Sequence, residues 1–218
     1  MRKDTAKSYD YIAKFLPDET PAMLQARANS AALGLEGISL SKAEAHILQH
    51  YAESVNAKKI VEIGTLTGLS ALYLLKNIPV DGCLWTLEKS EQHAQMAEQV
   101  LAPFIAKNQC RLLIGDAREK LEEIKKDGPF DAVFIDGNKA AYLDYFNWAV
   151  SNTKAGGIII ADNVFLAGAV WGDQSLQRFS EKQIQNVNKM NELAFSNPQL
   201  RSIILPTTEG LLVCKKMY

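Results

Sequence analysis

Two apolar runs in this 218-residue chain end in acid: Phe130-Asp131-Ala132-Val133-Phe134-Ile135 runs into Asp136, and Ile158-Ile159-Ile160-Ala161 into Asp162-Asn163. Short apolar runs flanked by Gly and Pro read as buried strands of a parallel sheet. In an open α/β sheet, ligands bind at the carboxyl ends of the strands. Two neighbouring strands would therefore deliver two carboxylates and an amide to one edge, as hard oxygen ligands suited to Mg²⁺ or Ca²⁺.

A second group of residues reads as a binding turn. In Val61-Glu62-Ile63-Gly64-Thr65-Leu66-Thr67-Gly68-Leu69-Ser70, Gly64 and Gly68 bracket a strand-to-helix turn. The glycines let the backbone approach a ligand, and the helix start presents N–H groups to an anionic or polar tail. The spacing is not the dinucleotide fingerprint, and such a turn also serves simply to join a strand to a helix. Glu88 ends the next strand, 20 residues after Gly68, where an acid is placed to bind ribose hydroxyls. Its alternative is a solvated loop carboxylate paired with Lys89. Gly115-Asp116-Ala117 follows the third strand; there Asp116 would receive an adenine amino group, cap the next helix, or do both.

These residues need a frame. From Lys59 onward strand and helix alternate, with strands expected at Ile60–Ile63, Cys83–Leu87, Arg111–Ile114, Ala132–Ile135 and Gly157–Ala161. Helices are expected at Leu69–Lys76, Glu91–Ala106, Ala117–Lys126 and Ala140–Val150. Such alternation implies right-handed βαβ units. Ahead of it, Tyr9–Leu16, Ala22–Leu33 and Ser41–Val55 read as helices, the first stopped by Pro17 and the third opened by a Ser41/Glu44 capping box. The tail gives a long helix from about Ser175 to Phe195, then two strands, Leu200–Leu205 and Gly210–Lys215, joined by a hairpin-like Pro206-Thr207-Thr208-Glu209. The expected fold is α/β: a doubly wound, Rossmann-like, seven-stranded and mostly parallel sheet with an antiparallel last strand. Residues 1–218 would form one domain, with 1–57 a helical N-terminal cap and 58–218 the α/β core.

Composition narrows the classes. At 47% hydrophobic and 22% charged the chain is ordinary globular protein, and a formal net charge of −1 gives no global attraction to nucleic acid or anionic membrane. A local basic patch stays open. No apolar stretch approaches the roughly 20 residues that span a bilayer, and Met1-Arg2-Lys3-Asp4 leads into a segment without a signal peptide's apolar core. Cys83, Cys110 and Cys214 lack metal-type spacing and read as buried reduced thiols, which suits a cytoplasmic protein. His46, His50 and His93 fit no metal or triad spacing and read as surface or packing residues.

Taken in order, Glu-Ile-Gly-Thr-Leu-Thr-Gly-Leu-Ser, Leu-Glu-Lys, Gly-Asp-Ala, Phe-Ile-Asp-Gly-Asn-Lys and Ala-Asp-Asn resemble the metal-dependent O-methyltransferases that use S-adenosylmethionine. These are the caffeoyl-CoA and catechol O-methyltransferase relatives, small bacterial members included, with a class I methyltransferase fold. The match runs from about Ile38 to Lys215, and the Asp-x-x-Lys plus Asp-Asn pair is its specific part.

The resemblance implies roles. Glu62, Gly64, Thr65 and Ser70, with Gly68 completing the turn, line the methionine end of the cofactor; Glu88 holds the ribose; Asp116 and Ala117 contact the adenine; Ile38 and Asp136 border the same site. Asp136, Asp162 and Asn163 are the implied ligands of a divalent metal, Mg²⁺ first and Ca²⁺ or Mn²⁺ after it, and Lys139 is the implied general base. The implied acceptor is a small catechol-like phenolic. A hydroxylated uridine in tRNA is the same-chemistry alternative, and a non-catalytic cofactor-binding module is the alternative of a different class. A homodimer is also implied.

Elementary chemistry supports these roles. A phenol has a pKa near tyrosine's, roughly 10, so a cation on its oxygen stabilises the oxyanion and holds it in place. Lys139, three residues past Asp136, would have its pKa lowered by a metal and a dry pocket and would then accept the phenolic proton. Its alternative is an ion pair with Asp136 or Asp144, and Asp162-Asn163 alone is also a common turn signal.

Two features depart from the family, and a third segment stands beside the site. Asn138 stands where relatives often carry an acid or histidine, and it supplies hydrogen bonds but no charge. Ser202-Ile203-Ile204-Leu205 offers no acid where the mammalian catechol enzyme has a glutamate that binds the second hydroxyl. The loop 164–172 carries Phe165 and Trp171, which would wall an aromatic acceptor or else be buried in a dimer contact.

Overall fold

The computed structural model describes residues 5–173 and 178–218. Three helices come first: α1 (Thr5–Ala13), α2 (Pro21–Ala32) and α3 (Lys42–Ser54). Strands and helices then alternate through β1 (Lys59–Ile63), α4 (Leu69–Leu75), β2 (Cys83–Glu88), α5 (Glu91–Ile105), β3 (Cys110–Ile114), α6 (Ala117–Ile124), β4 (Phe130–Ile135), α7 (Tyr142–Asn152) and β5 (Thr153–Ala161). The tail is α8 (Glu181–Ser196), β6 (Leu200–Leu205) and β7 (Leu211–Lys216).

Local chemistry sets several boundaries. Ser41 caps α3 through the full capping box with Glu44, and Ser180 caps α8 with Gln183 in the same way; such caps are each worth about 1 kcal/mol. The second cap starts α8 at Glu181, later than the expected Ser175, a position that lies outside the described residues. Strand β5 begins earlier than Gly157, at Thr153. A bulge opposite Phe130–Ala132 absorbs Gly156 and Gly157 into the strand instead of ending it.

The sheet order is β3-β2-β1-β4-β5-β7-β6. Strands β1 to β5 pair in parallel, and β7 runs antiparallel to both β5 and β6. This is the expected doubly wound sheet with its last strand reversed. Alternate residues of each strand feed opposite faces. Ile60, Leu84, Phe134, Ile160 and Val213 pack against α2 to α5, whereas Val61, Leu87, Ile135, Ile159 and Leu212 pack against α6 to α8. With both faces covered, β1 and β4 are buried along nearly their whole length.

Asp131 shows how one acid sits inside such a strand. Its Oδ2 accepts from the main-chain amides of Lys58 and Lys59 at 2.8 and 2.7 Å, and its Oδ1 meets Lys154 at 2.5 Å. This acid therefore anchors the foot of β1, while Asp136 at the other end of β4 is left for the site. The three cysteines are free, as expected. No helix among the described residues is long and apolar enough to cross a membrane.

Candidate active site

Chain order reverses in the sheet between β1 and β4, and a crevice opens at such a switch point beyond the strand ends. Here three strand ends lock in register: the Gly64 amide donates to Leu87 O at 2.9 Å, that of Asp136 to Ile63 O at 2.8 Å, and that of Asp162 to Ile135 O at 3.0 Å. A cavity of about 590 Å³ lies over them, within the usual range for small-molecule sites. Ile38, Gly64, Thr65, Ser70, Glu88, Asp116, Ala117, Asp136, Lys139 and Asn163 line it. Of the residues expected at the site, Glu62, Gly68 and Asp162 do not line the cavity.

Gly64 and Gly68 do different work. Gly64 has φ 102° and faces the Asp136 carbonyl so closely that a Cβ there would overlap it. Gly68, with φ 91°, is the left-handed residue that opens α4, and it packs against Val100 of α5. Beneath the turn runs a buried hydroxyl chain. Thr65 Oγ1 and Thr86 Oγ1 lie 2.5 Å apart, and Thr86 donates to Glu62 Oε2 at 2.6 Å. Glu62 is fully buried; its Oε1 has the Ser70 hydroxyl nearby but makes no hydrogen bond of ordinary geometry among the described residues. Burial pushes its carboxyl up to about 7, against the opposing pull of the Ser70 and Thr86 hydroxyls.

Glu88 is held rather than solvated. Its Oε2 accepts from the Leu66 amide at 2.9 Å and its Oε1 from the Ser90 amide at 2.8 Å, with His93 Nδ1 3.7 Å away. The alternative pairing with Lys89 does not form; Lys89 lies 3.5 Å from Asp116 instead. Asp116 is the N-cap of α6, accepting from the Arg118 amide at 3.0 Å, and still faces the cavity. The Arg118 side chain and amide hold its carboxyl down at about 2.

The polar end of the cavity lies past β4 and β5. Lys139 Nζ donates to Asp136 Oδ1 at 2.8 Å and to Tyr142 Oη at 2.6 Å. Asp162 is buried, and its Oδ2 accepts from Asn163 Nδ2 at 3.3 Å. Burial, reinforced by the Asp136 carboxylate, pushes the Asp162 carboxyl well above the usual range. Among the described residues no three His, Cys, Asp or Glu side chains gather into a metal-type cluster; the set expected from sequence is two carboxylates and one amide. Asn138 caps the turn ahead of α7, accepting from the Ala140 amide at 3.1 Å.

Of the two readings of the loop aromatics, the structure does not bear out the wall. Phe165 packs on Gly210 and stacks edge-on with Trp171 at 5.3 Å, and neither lines the cavity. Ala167, Arg178, Phe179 and Glu209 line it instead. Glu209, in the loop after Ser202–Leu205, brings an acid to the cavity lining, and its Oε2 accepts from the Ala167 amide at 2.9 Å. Tyr142, Thr86 and Glu209 were not singled out from sequence, although Tyr142 stands one helical turn past Lys139. His46 behaves as a packing residue, its Nδ1 2.9 Å from Lys42 O and its ring edge-on to Tyr73.

The chain is similar to known proteins along nearly its whole length. Residues 15–217 match a family model described as O-methyltransferase. A catechol O-methyltransferase of Niastella koreensis is 33% identical over 208 residues, covering 94% of this chain and 92% of the relative. A caffeoyl-CoA O-methyltransferase of Medicago sativa is 26% identical across 100% of this chain and 90% of the relative. An O-methyltransferase from Streptomyces achromogenes involved in tomaymycin synthesis, solved in complex with SAM, superposes with a TM-score of 0.87 at 26% identity, over 97% of this chain and 96% of that one.

Proposed function

The chain belongs to the S-adenosylmethionine-dependent O-methyltransferase family, and on that premise we propose that it methylates one hydroxyl of a small catechol-like phenolic with the help of a divalent cation. One observation carries the reading: Asp136, Lys139 and Asn163 line the same cavity as the Gly64 turn and Glu88, at the sheet's switch point. The names of the catechol and caffeoyl-CoA relatives support the acceptor class.

The residues fit both the methyl donor and the cation. For the methyl donor, Gly64, Thr65 and Ser70 would border the methionine end, Glu88 the ribose, and Asp116 and Ala117 the adenine, with Ile38 on the same lining. Glu62 supports the turn from behind through Thr86. For the cation, Asp162 is the telling residue: burial and the Asp136 carboxylate disfavour its anion, against the pull of Lys139 and the Asn163 amide, and a hard ion held there would favour it. Asp136, Asp162 and Asn163 would hold Mg²⁺, with Ca²⁺ or Mn²⁺ chemically admissible. When bound, S-adenosylmethionine supplies an electrophilic methyl and the cation supplies charge that stabilises a phenolate.

The chain's own residues do the remainder. Lys139 takes the phenolic proton, which a hydroxyl with a pKa of roughly 10 does not release readily at neutral pH. Phe179 and Ala167 give the acceptor an apolar wall, and Glu209 stands beside them to receive a hydrogen bond from a second hydroxyl. Fixing the acceptor oxygen in line with the methyl group contributes much of the rate.

The test is a labelled-methyl transfer assay on small catechols, with bulk tRNA alongside, with and without chelator. Transfer to catechol should stop with chelator and return with Mg²⁺. Chelator-resistant transfer removes the metal assignment, and transfer to tRNA alone removes the phenolic acceptor.

A further inference from the structure

We propose that Tyr142 is a positioning residue for the methyl transfer, its hydroxyl taking one N–H of Lys139 so that the remaining valence of the amine faces the cavity. The inference rests on the assignment of Lys139 as base.

The hydrogen bonds give Tyr142 a direction. Its side chain is fully buried in the first turn of α7. Its own hydrogen is directed at main-chain acceptors, with Asp162 O at 3.1 Å and Ile135 O at 3.4 Å. A tyrosine has one hydroxyl hydrogen, and a carbonyl can only accept. With that hydrogen committed to the backbone, the oxygen meets Lys139 through a lone pair and can only receive an N–H from it, here at 2.6 Å.

The consequence falls on the amine. Nζ of Lys139 is tetrahedral: one position is its own Cε, a second N–H goes to Tyr142, and a third goes to Asp136 Oδ1 at 2.8 Å. One position remains, and the side chain is 15% exposed where it borders the cavity. With Asp136 alone the amine could turn about its terminal bond and carry its lone pair away from the acceptor. Two acceptors in different directions remove that freedom. Packing does not explain the hydroxyl: a phenylalanine ring would fill the same space beside Phe146 and Val164, and burying a hydroxyl is costly unless it is hydrogen-bonded.

The experiment is a double-mutant cycle on kcat and KM, using wild type, Tyr142→Phe, Lys139→Ala and the double variant. Each rate is expressed per site that binds S-adenosylhomocysteine, so a partly folded preparation does not mimic a slow one. Tyr142→Phe should lower kcat by about tenfold or more, with both KM values and S-adenosylhomocysteine affinity within about twofold of wild type. In the Lys139→Ala background the same change should cost nothing further. An equal loss in both backgrounds makes Tyr142 merely structural and overturns the proposal, as does a Tyr142→Phe kcat within twofold of wild type. Wild-type kcat in Lys139→Ala, or no transfer by wild type at all, removes the base assignment and this inference together. A slow Lys139→Ala beside a normal Tyr142→Phe removes only the positioning role. If Tyr142→Phe does not fold, 3,5-difluorotyrosine at position 142 keeps the hydroxyl in place but weakens it as an acceptor. It should give a smaller fall in kcat, and no fall overturns the proposal.

Discussion

The main-chain carbonyl of Asp136 lies where a Cβ of Gly64 would have to be. The turn after β1 and the acid after β4 are therefore interlocked, one half of the site seated on the other. Gly64→Ala must displace one of them, and the φ of 102° adds backbone strain for any L side chain. The expected result is at least about tenfold weaker S-adenosylhomocysteine binding by calorimetry, together with a lower Tm. Normal affinity in the alanine variant would mean that the contact is slack.

Glu88 binds two main-chain amides, Leu66 on the turn and Ser90 at the N-cap of α5. Glu88→Gln keeps the shape but leaves one amide facing an NH₂ group. A ribose hydroxyl that no longer donates to a charged acceptor forfeits about 1.5–3 kcal/mol, which is roughly 10- to 150-fold in affinity. S-adenosylhomocysteine titration of the variant checks this, and unchanged affinity removes Glu88 from the site.

How far the sequence was legible follows from what the chemistry depends on. The apolar runs before Asp136 and Asp162 are buried on both faces, so their composition alone announces β4 and β5, and the acids mark where burial ends. Glu88 was legible for the same reason. Contacts between side chains distant in the chain leave no such pattern: Thr86 meets Glu62 across 24 positions and Glu209 meets the Ala167 amide across 42. Phe165 and Trp171 read as a substrate wall or as a buried dimer contact because they are aromatic and follow the site. Their actual placement depends on Gly210, which has no side chain to keep the Phe165 ring away.

The buried carboxyl of Glu62 predicts a pH dependence. Burial raises it from 4.5 to about 7. A raised carboxyl binds its proton more tightly in the folded chain than in the unfolded one, so its contribution to stability is greatest below about 4.5 and falls as pH rises to about 7. Glu62→Gln removes this dependence. Between pH 5 and pH 8 the Tm of wild type should fall relative to that of the variant, read by scanning calorimetry without ligands. Parallel curves would mean that Glu62 is not the group that titrates.

Asp162 joins stability to function with opposite signs. Without a cation its buried carboxyl stands beside Asp136 and is disfavoured as an anion, with Asn163 Nδ2 at 3.3 Å as its side-chain donor. Asparagine has nearly the same shape and no charge. Asp162→Asn should therefore raise the Tm of the metal-free protein, by roughly 2–4 °C for each kcal/mol of relieved penalty. A ligand that binds only the folded state stabilises it by mass action, so Mg²⁺ should raise the Tm of wild type and leave that of the variant nearly unchanged. Both measurements come from one thermal scan series with and without Mg²⁺, and they separate two accounts of the residue. A variant less stable without metal would show that Asp162 serves the fold through its charge. A variant still stabilised by Mg²⁺ as wild type is would place the ion elsewhere. Only a gain in metal-free stability, coupled to loss of the Mg²⁺ response, fits a carboxylate kept in an unfavourable place to hold a cation.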